Sequence, residues 1–446
     1  MTTVPTAWRS VLPHLGEQLP ADLTPPHTAG PVTATLPLEL VRQSISHREF
    51  WPIPEPVAER YRAHRPTPLW RARRFEAEIG ARVPIYVKYE GGNISGSHKW
   101  NTALAQAYYY HRAGFRELVT GTGAGQWGSA LAAACAAFGM ACTVFMVGGS
   151  LRDKPYRGSL MRLFDAQLHA SPSPLTAVGR AAADRPGQGN SLAVAIGEAV
   201  EYARADPKRA FCIGSGETYS ILHQSVIGLE SIDQLAALGA DVDAVVGCVG
   251  AGSNFGGLAL PFFAAARAGE RALPADLIAA ESSTTPKLTR GVYAYDHTDA
   301  TGTGPLEAMY TVGSGFAIPS SHSAGLRFHG AAKLLSAMRY RDHISALAVG
   351  EREALTAGRT FALTELVLPA PESGHALAVA ARVAAGRESG HPARHGVLVC
   401  VSGHGLLDLA AYDKLLAGSP EDRPADTDLV RAATASLRAV HPTRGA

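Results

Sequence analysis

The chain has 446 residues, 46% hydrophobic and 18% charged, with 41 basic and 39 acidic residues for a formal charge of +2. That length supports two domains with separate cores, and the interspersed charges form neither a nucleic-acid patch nor a membrane-targeting run. No apolar stretch reaches a bilayer span, residues 1–19 lack the apolar core of a secretory leader, and the five scattered cysteines match neither a zinc spacing nor a disulfide framework, so the composition reads as a reduced, cytoplasmic enzyme.

Residues 1–65 are proline-rich and weakly periodic, and read as an extension wrapped on the body. From Pro66 onward, apolar runs of strand length alternate with helical periodicity. In chain order the reading is strand 85–89, helix 101–111, strand 117–119, helix 128–138, strand 142–147, helices 192–204 and 222–238, strand 244–249, helix 254–267, strand 277–280, helix 375–385 and strand 396–401. This alternation predicts an α/β protein of mostly parallel sheets flanked by helices. The expected division is a smaller domain over 66–225 and a larger one over 226–446. The segment 171–190, rich in proline, glycine and serine at its ends, is expected to be a mobile surface connection.

Four strand-to-helix junctions carry the chemistry. The first, from Glu90 to Asn101 (EGGNISGSHKWN), sets Lys99 behind a glycine/serine loop at a helix start, where its amine can be desolvated and made nucleophilic toward a carbonyl. The six other lysines, Lys88, Lys154, Lys208, Lys287, Lys333 and Lys414, read as solvated residues of turns and polar helix faces. At the second junction, Gly121-Thr122-Gly123-Ala124-Gly125-Gln126 opens an alanine-rich helix, and its freed backbone N–H groups suit a carboxylate. The third, Gly250-Ala251-Gly252-Ser253-Asn254, adds two polar side chains, as a phosphate requires. Its next glycine, Gly256, falls one residue late for the dinucleotide fingerprint. The fourth ends a strand at Ser402-Gly403-His404-Gly405. Ligands bind beyond the carboxyl ends of parallel strands, so these junctions can share one crevice. His98, His329, His375 and His404 lack metal-ligand spacing and read as satisfied or solvated.

Taken together, these motifs resemble the β chain of tryptophan synthase, and in particular its second, stand-alone-type branch. The likeness runs from about Trp8 to Asp413 and includes Arg65-Pro66-Thr67-Pro68-Leu69, the lysine junction, Thr122 to Gly128, Lys154-Pro155-Tyr156-Arg157, Leu222 to Gly228, Leu326-Arg327-Phe328-His329-Gly330, Pro369 to Ser373 and Ser402 to Gly405. It implies the fold type II scaffold of pyridoxal 5′-phosphate (PLP) enzymes and a homodimer, with an α-type partner left open. It also implies an amino-acid substrate and a heteroaromatic or related nucleophile, joined by β-replacement in a carbon–oxygen lyase. By the same likeness Lys99 would be the Schiff-base lysine, with His98 and Asn101 beside the cofactor. Gly250, Ala251, Gly252, Ser253 and Asn254 would hold the phosphate, Ser402 the pyridine nitrogen, and Thr122, Gly123, Ala124, Gly125 and Gln126 the substrate carboxylate. Glu372 would lie near the cofactor ring.

Departures from the family pattern are as informative. Gly121 stands where the family carries the glutamate that protonates the leaving hydroxyl, Trp100 replaces a proline, and 214–220 departs from the usual asparagine–histidine pair. Two expectations follow: Glu217 enters the pocket as a substitute acid, or Gly121 enlarges the pocket for a bulkier nucleophile and an activated leaving group. Against these enzymatic readings stand a non-catalytic, regulatory PLP-binding homologue and a PLP-dependent deaminase or aldol-type lyase.

Overall fold

The structure is a computed structural model that describes residues 3–23, 36–184, 191–214, 216–272, 274, 276–298, 305–418 and 422–440. The segment 185–190 of the expected surface connection lies outside the described residues; its earlier part contains the helix Ala177–Ala183. Along the chain, β1 (Leu69–Arg71), β2 (Ile85–Tyr89) and α1 (Lys99–Arg112) lead to β3 (Glu117–Thr122), α2 (Gln126–Ala137) and β4 (Ala141–Val147). Next come α3 (Pro155–Leu163), β5 (Gln167–Ser171), α4 (Leu192–Arg204), β6 (Arg209–Phe211), α5 (Thr218–Gln224) and α6 (Val226–Ala237). The remainder holds β7 (Ala244–Cys248), α7 (Ser253–Arg267), β8 (Asp276–Ser282), β9 (Ser345–Val349), α8 (Pro371–Ala384) and β10 (Val397–Val401).

Two sheets organise these elements, as the alternation predicts. A six-stranded sheet runs β9-β8-β7-β10-β2-β1, parallel except for β1 at its edge, and a four-stranded parallel sheet runs β5-β4-β3-β6. Every residue of β7 and β10 is buried, which is why these strands are unbroken apolar runs rather than alternating ones. The sheets divide the chain differently from the expected border at 225, because β1 and β2, near the start of the 66–225 segment, pair into the larger sheet. The described part of the extension does pack on the body: Ala7–Arg9 pairs antiparallel with Phe50–Pro52, Trp8 is fully buried, and the Arg9 N–H donates to Ser225 Oγ at 2.9 Å.

A buried ionic cluster ties the start of the larger sheet to α1 and α6. The Arg65 guanidinium donates to Glu90 Oε2 at 2.8 Å, to Glu230 Oε1 at 2.8 Å and to Asn101 Oδ1 at 2.9 Å. Lys88 Nζ donates to Glu230 at 2.8 Å, to Gln234 at 2.7 Å and to the Thr67 carbonyl at 2.8 Å. Burial drives Lys88 toward its neutral form. Burial also pushes Glu90 up, but Arg65 overcomes that push and holds it at about 2. Lys88 is therefore no solvated lysine, and neither is Lys287, fully buried between Val249 and Thr285 and brought down by burial to about 8. Their partners lie far off in sequence or on the backbone, so local polarity gave no sign of them.

The smaller sheet seats α4 directly on β3. A Cβ at Gly121 would stand 2.7 Å from the backbone of Ala195 and Ile196, within α4. The missing side chain therefore makes room for a helix, not for a ligand, and the expected enlargement of the pocket at Gly121 is corrected: backbone occupies that space.

Three outcomes follow from this packing. Glu230→Gln leaves Arg65 and Lys88 buried with too little negative charge, and is expected to cost about 3–5 kcal/mol, read as a lower denaturant midpoint at unchanged slope. Glu90, depressed in the fold, contributes stability that is complete above the ordinary glutamate value near ~4.3 and is lost as pH falls through about 2. Acid titration of the folded fraction should therefore show a loss confined to that acid window. Gly121→Ala must displace α4 and is expected to cost about 1–3 kcal/mol; an unchanged melting temperature would rule out the tight seat.

Candidate active site

Three of the four junctions meet because their strands are neighbours. β7, β10 and β2 lie side by side and parallel, so Gly250–Asn254, Ser402–Gly405 and Glu90–Lys99 all leave the same edge of the sheet. Backbone pairing then locks the lysine loop to the serine loop. Ser97 bridges Gly403, the His98 N–H donates to the Ser402 carbonyl at 2.8 Å, and the His404 N–H donates to the Gly96 carbonyl at 3.0 Å. Gly96 must be glycine, since φ is +70° and a Cβ would strike the His404 ring.

Lys99 opens α1 in this corner, and burial lowers its amine below the ordinary lysine value. The Glu372 carboxylate and the Cys248 thiol oppose that shift, whereas Arg157 adds to it. His98 is driven well below 6.5 by burial and by the Lys99 charge, so its ring is neutral at physiological pH. Its Nε2 lies 3.4 Å from Ser253 Oγ in the third junction. Asn101 faces away from this corner into the Arg65 cluster, where its amide donates to Glu90 and Gln224 at 3.1 and 2.9 Å.

The third junction is a bare backbone turn into α7. Gly252 has φ of +119°, and a Cβ at Gly250 would lie 2.3 Å from the Gly325 carbonyl, so both positions demand glycine. Ser253 and Asn254 are buried in the first turn of α7, and Asn254 Oδ1 has no hydrogen-bond partner among the described residues. Such a turn, with N–H groups at a helix start and glycines that leave the backbone bare, suits a phosphate. Ser402 Oγ sits 2.9 Å from Ser373 Oγ and 3.5 Å from Cys248 Sγ, and the Ser402 N–H donates to Ser373 Oγ at 3.0 Å.

The second junction comes from the smaller sheet. Thr122 ends β3, Gly123–Gly125 turn with Gly125 at φ of +91°, and Gln126 opens α2. Gln126 Nε2 donates to Glu372 Oε1 at 2.9 Å in the first turn of α8, where the next residue, Ser373, bonds Ser402 of the fourth junction. Trp127 Nε1 donates to Thr120 Oγ1 at 2.9 Å, and the Thr120 hydroxyl donates to the Cys212 carbonyl at 2.8 Å. An ion-pair group joins α3 and the residue before it to the loop after β10: Lys154 and Arg157 donate to Asp408 at 2.6 and 2.8 Å.

Glu217 is placed elsewhere. It lines a cavity of about 440 Å³ with Asp22, Glu307 and Lys333, and burial pushes it up to about 7. The groups acting on Lys99 are Glu372, Cys248 and Arg157, with Glu217 not among them. The cavity comes near the Gly250–Asn254 turn at Gly216, where a Cβ would lie 3.3 Å from that of Ala251. Asp408, Ser373 and Gly325 were not singled out from sequence. Ser373 adjoins Glu372 in a quoted motif, and its spacing could have found it; the other two carried no local signal.

The comparisons agree with this geometry. Residues 61–403 match the family described as "Pyridoxal-phosphate dependent enzyme". The tryptophan synthase beta chain of Pseudothermotoga lettingae is 43% identical over 417 residues, spanning 92% of this chain and 97% of that one. Tryptophan synthase beta chain 2 of Thermotoga maritima is 42% identical over 415 residues, with 92% and 97% covered. Among solved structures, the T.th. threonine deaminase shares the fold with a TM-score of 0.56 at 20% identity, covering 79% of this chain and 98% of that one. With its lysine, glycine-rich turns and serine on one sheet edge, the chain belongs to the tryptophan synthase β chain family of PLP-dependent lyases.

Proposed function

We propose that this protein catalyses β-replacement on a serine-like amino acid, exchanging the β-hydroxyl for a nucleophile to give tryptophan or a related β-substituted amino acid. We further propose that it works as a cytoplasmic homodimer. The observation that carries the reading is the corner where a desolvated Lys99, the Ser402 hydroxyl and the Gly250–Asn254 turn share one sheet edge.

The residues fit PLP. The turn offers bare backbone at Gly250 and Gly252, the Ser253 hydroxyl and the neutral His98 ring beside it. When bound, PLP supplies the electron sink that lets a Cα proton leave. The chain supplies the rest. Lys99 would be the attachment point, and burial lowers the basicity of its amine, which favours the form able to take the Cα proton. Ser402 sets a neutral hydroxyl, rather than a charged group, against the cofactor's ring nitrogen. The N–H groups at the start of α2 hold the substrate carboxylate. α4 fills the space beside Gly121 and takes part in excluding water there.

Lys99→Ala is expected to abolish turnover and to remove the borohydride-fixed cofactor from the peptide that carries residue 99; fixation elsewhere would refute the assignment. With L-serine and indole, the wild-type protein is expected to form tryptophan, measured by chromatography. Release of a keto acid or aldehyde alone would favour deaminase or aldol chemistry instead. Gly121→Glu should lower that turnover, because the added side chain meets the α4 backbone; a rise would show that the lost acid limits the reaction.

A further inference from the structure

The family glutamate is absent at Gly121, yet a leaving hydroxyl still needs a proton. The carboxylates around the site are not equivalent. Glu90 is saturated by Arg65, Thr67 and Asn101, and Asp408 is held by Lys154 and Arg157. Glu217 lines the separate cavity with Lys333 and Asp22.

Glu372 differs from all three. It lies in the first turn of α8, 6% exposed, with Oε1 accepting from Gln126 Nε2 at 2.9 Å and from the Gly325 N–H at 2.8 Å. A Cβ at Gly325 would stand 2.8 Å from that oxygen, so a bare backbone is required for the approach. Oε2 is buried and has no hydrogen-bond partner among the described residues. The next residue, Ser373, bonds Ser402, and the Ser402 carbonyl in turn accepts from the N–H of His98, the neighbour of Lys99. Glu372 thus stands between the carboxylate-binding loop and the reactive lysine, one oxygen fixed and the other unengaged. It is also the group that most opposes the loss of charge on Lys99.

We propose that Glu372 is the proton carrier between Lys99 and the substrate's leaving oxygen, the role that Gly121 leaves unfilled. The proposal rests on the β-replacement reading. As the Cα–H bond breaks, its proton passes to Lys99 Nζ, and the resulting ammonium hands it to Glu372. The Cβ–O bond breaks with its electron pair on oxygen, which takes the Glu372 proton and departs as water. The electron pair released at Cα becomes the Cα–Cβ double bond. In the second half the nucleophile bonds to Cβ and gives its proton to Glu372, which returns it through Lys99 to Cα. No outside acid or oxidant is needed, and both groups end as they began.

The test uses the PLP-loaded full chain and pyruvate release without nucleophile, comparing L-serine with β-chloro-L-alanine. Chloride leaves without a proton, whereas hydroxide does not. Glu372→Gln is expected to retain the cofactor through gel filtration and to keep Lys99-dependent exchange of the L-alanine Cα proton into deuterated water. Pyruvate from serine should fall about 10²–10⁴-fold, and pyruvate from β-chloroalanine by less than about 10-fold. Glu372→Asp, which keeps a carboxyl group, should recover part of the serine rate, and it carries the comparison if the glutamine variant does not fold. An equal fall with both substrates would reduce Glu372 to a structural part and overturn the proposal. So would an unchanged serine rate. Wild type that processes chloroalanine but not serine would defeat the proton carrier while leaving β-replacement standing; wild type that processes neither would defeat both.

Discussion

The site depends on three parallel strands, β2, β10 and β7, ending at one level of the larger sheet. Once their carboxyl ends are adjacent, the lysine loop and the serine loop run against each other closely enough to pair backbone to backbone, at Ser97 with Gly403 and at His98 with Ser402. Lys99, beside that pairing, is half-buried, and the partial loss of water lowers its basicity. An exposed lysine at neutral pH is an ammonium and neither adds to a carbonyl nor accepts a proton. The Arg65 cluster supports the same arrangement from below. It fixes Glu90, the residue that leaves β2, and Asn101 in the first turn of α1, so both ends of the lysine loop are anchored to one guanidinium.

Burial alone does not make a lysine catalytic, as two others show. Lys88 is more deeply buried than Lys99 and donates to Glu230, Gln234 and the Thr67 carbonyl, which hold its amine in structural bonds. Lys287 sits against backbone carbonyls behind the phosphate turn, with Glu281 compensating for part of its desolvation. Lys99 is acted on by the Glu372 carboxylate and the Cys248 thiol, beside the Gly250–Asn254 turn. What separates the three is the set of partners as well as the burial: Lys88 and Lys287 are fully buried, and Lys99 is half-buried.

This difference explains what could be read from sequence. The four junctions were legible because each is local: an apolar run, glycines that free the backbone, and a helix start lie within about a dozen residues. The parallel architecture was legible from the same alternation. The Arg65–Glu230 pair spans 165 positions, and nothing near Arg65 or Lys88 announces such a partner. The sheet membership of β1 and β2 was hidden for a related reason, since a parallel strand finds its neighbour through intervening elements and not through the next residue in the chain. Glu217 was misread because its loop departs from the family pattern close to a site motif. Its side chain instead joins Asp22, Glu307 and Lys333, brought together from three other segments.

Gly121 was read from sequence as an empty space, and the structure turns that inference round. Removing a glutamate from the end of β3 deletes an acid, but it also deletes the Cβ and the chain that would keep α4 away. The backbone of Ala195 and Ile196 occupies the contact that glycine permits, so the substitution is a change of wall, not of volume. Its reversal would then require a helix to retreat as well as a carboxylate to return. Under the proposed proton transfer the acid's task falls to Glu372, which holds one oxygen on Gln126 and keeps the other unengaged.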